Sequence, residues 1–258
     1  MLDKILTSRR EELAREQQSI GLNELKQRCD NLEQPRSLAA ALSGPNLGLI
    51  AEIKGSSPSK GHIRSFDDPA KIAKVYERAG AASISVLTEP NYFNGHIEFL
   101  RSVKDRVSIP VLRKDFIFDD YQIYQARAFG ADAVLLMTAV VADDDRLDNL
   151  IDLAHRLGLE VLLESSDRRQ LRRALGTRAD VIGINNRDFY TLNINLSVSI
   201  ELIGEINGNR PVVSESGIFT RDDVSNLEKV GFNGILVGTA LMESNDIELK
   251  IKELMGRD

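Results

Sequence analysis

Cysteine is almost missing from this sequence, and tryptophan is missing altogether. Cys29 stands alone among 258 residues, which excludes a disulfide framework and a cysteine-built zinc cluster and fits a reducing, cytoplasmic setting. Histidine is scarce too: His62, His96 and His155 are too scattered to share a ligand set, so no metal is expected. No apolar run approaches the ~18 residues that would span a bilayer. The charged stretch from Met1 to Arg15 lacks the apolar centre of a signal peptide. There is no basic excess either. The formal net charge of -6 favours solubility and speaks against a nucleic-acid surface. Neither nucleic acid nor membrane is expected as a partner. The glycine-rich G-x-G-x-x-G turn of an open dinucleotide-binding sheet is also absent.

What is present is an alternation. Residues 1–47 read as helices, with a sparse apolar stripe at Leu2, Ile5 and Leu13, a short helix over Leu22–Arg28 and another over Pro35–Leu42. Pro35 falls near a helix start, where its missing N–H costs nothing. From Gly48 onward eight short apolar runs recur, at Leu49–Ile53, Ala82–Leu87, Pro110–Leu112, Ala133–Met137, Glu160–Leu163, Val181–Ile184, Pro211–Val213 and Gly234–Val237. Stretches of helical spacing separate them, among them Pro69–Arg78, Asp143–Leu157, Ser199–Ile206 and Arg221–Val230. Gly80, Gly130, Gly158, Gly176 and Gly231 follow such stretches, where left-handed caps are expected. Eight strand–helix units predict a parallel sheet. Closed on itself, that sheet is an α/β (β/α)8 TIM barrel, with its active site at the C-terminal ends of the strands. We expect one domain: a barrel over 48–258 with a helical extension over 1–47.

The polar residues that follow the apolar runs mark the candidate site. Glu52 and Lys54 are two apart, so on a strand they share a face. Burying either without a partner would be expensive. A loop of hydroxyls and glycines follows them, Gly55–Gly61, including Ser57. Further candidates are Lys114 after the third run, Glu164 after the fifth, Asn185 and Arg187 after the sixth, and Glu215 and Ser216 after the seventh. Charges also gather at strand ends because strand ends meet water. That does not account for Glu164, which closes the apolar run Val161–Leu163, or for Glu52 between apolar neighbours. Ser216-Gly217 and Gly238-Thr239 each bring a glycine and a hydroxyl after the seventh and eighth runs, where barrels often hold phosphate. Arg168, Arg169, Arg172 and Arg173 read as a solvated helix face, and Asp143–Asp145 as a helix start favoured by the dipole.

Taken together, Leu49–Gly61, Arg113–Phe116, Leu163-Glu164, Ile184–Asp188, Ser214–Ile218 and Leu236–Met242 resemble the indole-3-glycerol-phosphate synthase family over essentially the whole chain. The resemblance implies a carbon–carbon lyase of tryptophan biosynthesis. Its substrate would be a sugar phosphate carrying an anthranilate, 1-(2-carboxyphenylamino)-1-deoxyribulose 5-phosphate. Ring closure, decarboxylation and dehydration would proceed without cofactor or metal. By similarity Lys114 would protonate the ketone oxygen, and Glu164 would serve as acid and base in the dehydration. Glu52 would orient or relay protons, and Lys54 would lie between the substrate's carboxylate and phosphate. The acid roles of the two lysines are open to exchange. Asn185, Arg187, Glu215 and Ser216 would hold the substrate and the charged side chains, while Ser57, Gly217, Gly238 and Thr239 would surround the phosphate. Departures from the family pattern fall at Gly55-Ser56, His96, Ser165-Ser166 and Thr239, beside the proposed acid–base side chains rather than on them.

The chemistry asks for the same parts. Closing an aromatic carbon onto a ketone needs a proton donor at oxygen, worth about 10² to 10⁴ in rate, and expelling water needs an acid and a base. The substrate's ring needs apolar walls, for which Phe93 and Phe116 are candidates, ordinary barrel packing being the other reading of each. Two alternatives stand beside the synthase: a Schiff-base lyase acting on a sugar phosphate through a strand-end lysine, and a non-catalytic phosphate-binding barrel. A monomer or weak homo-oligomer is expected.

Overall fold

The computed structural model describes residues 1–257. Eight strands run in parallel: β1 Gly48–Ile53, β2 Ser83–Leu87, β3 Val111–Lys114, β4 Ala133–Met137, β5 Glu160–Ser165, β6 Val181–Asn185, β7 Val212–Glu215 and β8 Gly234–Val237. Each pairs with its neighbours in sequence, and β8 closes onto β1. This is the expected (β/α)8 barrel. Nearly every strand residue is buried, as a sheet covered by helices outside and by its own side chains inside requires.

Alternation along the strands puts the site where it is. Ile50, Leu112, Leu162, Val213 and Leu236 belong to one inner apolar cluster. Two residues further along, and so on the same face, come Glu52, Lys114, Glu164, Glu215 and Gly238. A polar layer therefore sits directly on an apolar one. β4 is the exception, because its corresponding inward residue is Met137. The residues between point outward, and Ala51, Ile53, Leu163, Ile184 and Val237 join the larger cluster beneath the helices.

The outer helices are α4 Pro69–Arg78, α6 Glu98–Lys104, α7 Asp120–Ala128, α8 Asp144–Arg156, α9 Arg168–Leu175, α10 Ser197–Leu202, α11 Arg221–Lys229 and α13 Ile247–Met255. Most begin on a side chain that takes one of the free first-turn N–H groups: Asp68, Asp119, Asp143, Asp167, Thr220 and Asp246 all do so. Short helices α5 Pro90–Phe93 and α12 Thr239–Met242 follow β2 and β8 at the barrel mouth.

The extension supplies α1 Leu2–Ser19, α2 Leu22–Cys29 and α3 Leu38–Leu42. α3 closes the bottom of the barrel: Leu42 occupies the space that side chains at Gly48 and Gly234, the first residues of β1 and β8, would fill. α1 lies against the mouth instead, with Ser8 accepting from Asn91 and Arg9 bound to Asp115.

Several boundaries differ from expectation. β3, β5, β6 and β7 continue past their apolar runs through Lys114, Ser165, Asn185 and Glu215, because ladder pairing with parallel neighbours does not need apolar side chains. Pro35 lies outside α3, whose cap is Ser37 accepting from Ala40 N. The helix expected over Ser199–Ile206 starts at Ser197 and ends as a 3-10 turn over Ile203–Glu205. Gly80, Gly130, Gly158 and Gly231 have the positive φ of left-handed caps, but Gly176 has a φ of -73° and ends α9 in right-handed geometry. Arg173 is no solvated residue. Its guanidinium donates to the carbonyls of Thr138, Val141 and Ala142 and ties α9 to the loop after β4.

Candidate active site

A cavity of about 250 Å³ opens at the C-terminal mouth. Of the residues singled out in the sequence, it is lined by Glu52, Lys54, Ser57, Phe93, Lys114, Asn185, Arg187, Glu215, Ser216, Gly217, Gly238 and Thr239. Two stand apart from it. Phe116 is buried behind Phe93, with ring centroids 6.0 Å apart. Glu164 lines a separate flanking cavity and is joined to the site through Lys114.

Two lysines organise the charge. Lys54 Nζ lies 2.6 Å from Glu52 Oε1. Lys114 Nζ lies 3.2 Å from Glu164 Oε2 and 3.0 Å from Glu215 Oε2. Burial works against each of these charges, and their mutual attraction decides the outcome. Burial disfavours the Lys114 ammonium, but Glu215, Glu164 and Glu52 outweigh it and hold the group well above the ordinary lysine range. Burial would raise Glu52, yet Lys54 and Lys114 keep its carboxyl below the usual range. Glu215 goes the other way. Burial, with Glu164 and Glu52 nearby, pushes it up to about 8 despite Lys114. Its Oε1 is buried with no hydrogen-bond partner among the described residues.

Glycine makes this crowding possible. A Cβ on Gly238 would collide with Glu52 Oε1 and come within 3.0 Å of Lys54 Nζ. One on Gly183 would come within 2.5 Å of Glu215 Oε1. Both glycines are there so that side chains from neighbouring strands can lie across the backbone. After β7 the chain turns sharply, with Ser216 at a φ of 67° and Gly217 at 80°. A serine in the left-handed region is uncommon and points to a functional turn. After β8, Gly238 caps α12: Leu241 and Met242 N–H donate to its carbonyl, while the N–H groups of Thr239 and Ala240 have no backbone partner among the described residues.

The mouth is covered on one side by a hairpin in which Ser56–Ser57 pairs with Gly61–His62. Ser59 Oγ accepts from Arg187 Nη1 at 2.9 Å, and Lys60 Nζ lies 2.6 Å from Glu243 Oε1 and over the Phe219 ring. The buried Ser57 hydroxyl, on the cavity wall, has no hydrogen-bond partner among the described residues. Burial lowers Arg187 somewhat, and Asn185 Oδ1 accepts from its backbone N–H.

Sequence reasoning missed several contributors. Phe189, Leu192 and Ile194 line the cavity. Phe189 also meets Phe116 edge-on at 5.9 Å, extending the aromatic wall. Their run has neither strand nor helix periodicity, so nothing marked it. Asn186 donates to Ser214 Oγ and to the carbonyls of Glu215 and Ser216, pinning the β6 loop to β7. Arg9 was also invisible. It is fully buried and reaches Asp115, the residue after Lys114, from α1.

Fold and site together define a (β/α)8-barrel enzyme with a lysine–carboxylate network at its mouth. A profile for indole-3-glycerol phosphate synthase matches residues 2–254. The indole-3-glycerol phosphate synthase of Dehalococcoides mccartyi (strain CBDB1) is 43% identical over 259 residues, covering 99% of this chain and 100% of that protein. That of Carboxydothermus hydrogenoformans is 43% identical over 253 residues, covering 95% and 96%. Among solved structures, a thiamine phosphate pyrophosphorylase from Pyrococcus furiosus superposes with a TM-score of 0.61 at 17% identity, covering 83% of this chain and 95% of that one. That likeness concerns the barrel fold alone. This chain belongs to the indole-3-glycerol phosphate synthase family.

Proposed function

We propose that the mouth of this barrel converts 1-(2-carboxyphenylamino)-1-deoxyribulose 5-phosphate to indole-3-glycerol phosphate, the ring-closing step of tryptophan biosynthesis, with Lys114 as the acid that starts it. The observation that carries the assignment is the Lys114 ammonium, on the cavity wall and between Glu164 and Glu215. A donor so held is charged at neutral pH and lines the pocket, as protonation of a ketone oxygen requires. Attack by the ring carbon forms the new C–C bond as Lys114 gives up its proton. The carboxylate then leaves as CO2, returning its bonding pair to the ring. In the dehydration the hydroxyl leaves as water and the neighbouring carbon loses a proton, with Glu164 exchanging protons through Lys114. Glu52 pairs with Lys54 and positions it for the substrate's anionic groups. Arg187 and Asn185 line the route to them.

The phosphate is placed at the turns after β7 and β8, against Ser216, Gly217, Gly238 and Thr239, with the unpartnered Ser57 hydroxyl closing over it. Phe93 and Phe189 flank the aromatic ring, and Phe116 backs them. The same charge pattern argues against a Schiff-base lyase, which needs a neutral amine as nucleophile. Both lysines are ion-paired. We further propose that extension and barrel form one domain, and that the protein works in the cytoplasm as a monomer or weak homo-oligomer. None of its helices is long and apolar enough to cross a membrane among the described residues. Mass spectrometry of the protein incubated with this substrate tests the assignment: the product should have lost CO2 and water. A substrate recovered unchanged would refute it.

A further inference from the structure

Proton balance sets a requirement that the main cavity does not meet by itself. Carbon–carbon bond formation consumes one proton at the ketone oxygen. Loss of the carboxylate as CO2 returns none, since the bond pair goes back to the ring. In the dehydration, one proton leaves with the hydroxyl as water and one is released from carbon, so that step is neutral. Each turnover therefore takes up one proton from solvent. Lys114 spends it, and while substrate fills the mouth beneath the 56–62 hairpin, the direct way back to Lys114 is occupied.

A second cavity, of about 110 Å³, lies beside the first between the loops after β4, β5 and β6. That is ample for water, since a single water needs only about 10–15 Å³ of such space. Its inner end is Glu164, only 2% exposed. One oxygen of that carboxylate accepts from Lys114, and the other has no hydrogen-bond partner among the described residues. Ala139, Ser166 and Gln170 line the passage, and its outer end is formed by the exposed Asp167 and Asp188. Phe189 lines both cavities and so stands between them. Glu164 is thus the one acid–base residue of the network with a polar, water-sized passage of its own.

We propose that this side cavity is the proton inlet of the enzyme. Water in it relays a proton from bulk solvent, past Asp167 and Asp188, to the Glu164 carboxylate; Glu164 hands that proton to the Lys114 amine left neutral by ring closure, and Lys114 is recharged while the main pocket is still occupied. Ser166 and Gln170 form its wall, with Ser166 N–H and Oγ donating to Gln170 Oε1, and do not touch substrate. This rests on the reaction proposed above.

Stopped flow with a pH-indicator dye in weak buffer, enzyme in excess over the carboxyphenylamino sugar phosphate, tests it directly. In the unmodified protein, uptake of one proton should keep pace with the growth of indole fluorescence. Ser166→Leu and Ala139→Leu fill the passage from two different walls. Each should release CO2, followed by rapid quench, at the unmodified rate in the first turnover, using the proton already on Lys114. Proton uptake and indole growth should then both trail behind CO2 release, and steady-state turnover should fall at least about tenfold at unchanged KM. Uptake that already trails indole formation in the unmodified protein overturns the proposal, and that result needs no variant. So does finding both uptake and steady-state turnover unchanged in the two variants, or a first CO2 release slowed as much as the steady state. If the unmodified protein makes no indole, the reaction assignment itself has failed, which is a different result.

Discussion

Lys114 owes its charge to three carboxylates carried by three other strands, and that dependence can be measured one residue at a time. Lys114→Ala removes the donor, and Glu164→Gln removes the group that exchanges protons with it. Each should lower turnover at least about a hundredfold with circular dichroism unchanged; near-normal rates in both would end the proposed mechanism. Glu215→Gln acts on the ammonium rather than on the substrate. Since Glu215 is the foremost carboxylate holding Lys114 high, its loss lets the ammonium release its proton more easily. The alkaline limb of the pH–rate profile should therefore move to lower pH. Gly238→Ala should also impair the enzyme, because the new methyl displaces Glu52 from Lys54. At this scale the sequence was legible wherever a charge interrupted an apolar run, as at Glu52, Lys114 and Glu164. It was silent where the contributor sits in an irregular loop, as Phe189 does, or in a distant helix, as Arg9 does.

Among the elements, β3 shows how one strand serves two purposes. Lys114 faces the pocket, while its neighbours Arg113 and Asp115 face outward and are fully or almost fully buried. The Asp115 carboxylate accepts from Arg9, Arg113, Thr88 and the Phe116 N–H. α1 is thereby tied to the strand that carries the proposed acid. Arg9 and Arg113 overcome burial and hold Asp115 well below the usual carboxylate range. Its contribution to stability is therefore present above the unfolded value of about 3.9 and is lost as pH falls through the lower folded value. Asp115→Asn, which leaves two buried guanidinium groups under-compensated, should cost about 3–5 kcal/mol at neutral pH. In denaturant titrations the gap from the unmodified protein should narrow as pH drops below about 4. The hairpin over the mouth gives a second test at this scale. Lys60→Ala and Glu243→Ala should each raise KM, and the double variant should raise it no further than either alone, since both break the same contact. Neither tie was readable in advance. Periodicity reports which face of an element is buried, not which distant side chain comes to meet it, and for that reason the apolar runs also ended before the strands did.

For the whole molecule, eight apolar runs separated by helical stretches were enough to anticipate the barrel, because parallel neighbours need crossovers and a closed sheet leaves no edge. What the pattern could not supply was the place of the extension, with α3 beneath the barrel and α1 at its mouth. If the two form one domain, thermal unfolding followed by backbone ellipticity and by tyrosine near-ultraviolet signal should give coincident transitions; separate transitions would divide them. The lack of tryptophan makes the central claim simple to examine. Purified protein mixed with 1-(2-carboxyphenylamino)-1-deoxyribulose 5-phosphate should show indole emission growing, with no tryptophan to obscure it, as the substrate's own anthranilate emission falls. A flat trace, from protein shown to bind the substrate's phosphate, would contradict the account and leave the phosphate-binding barrel in its place.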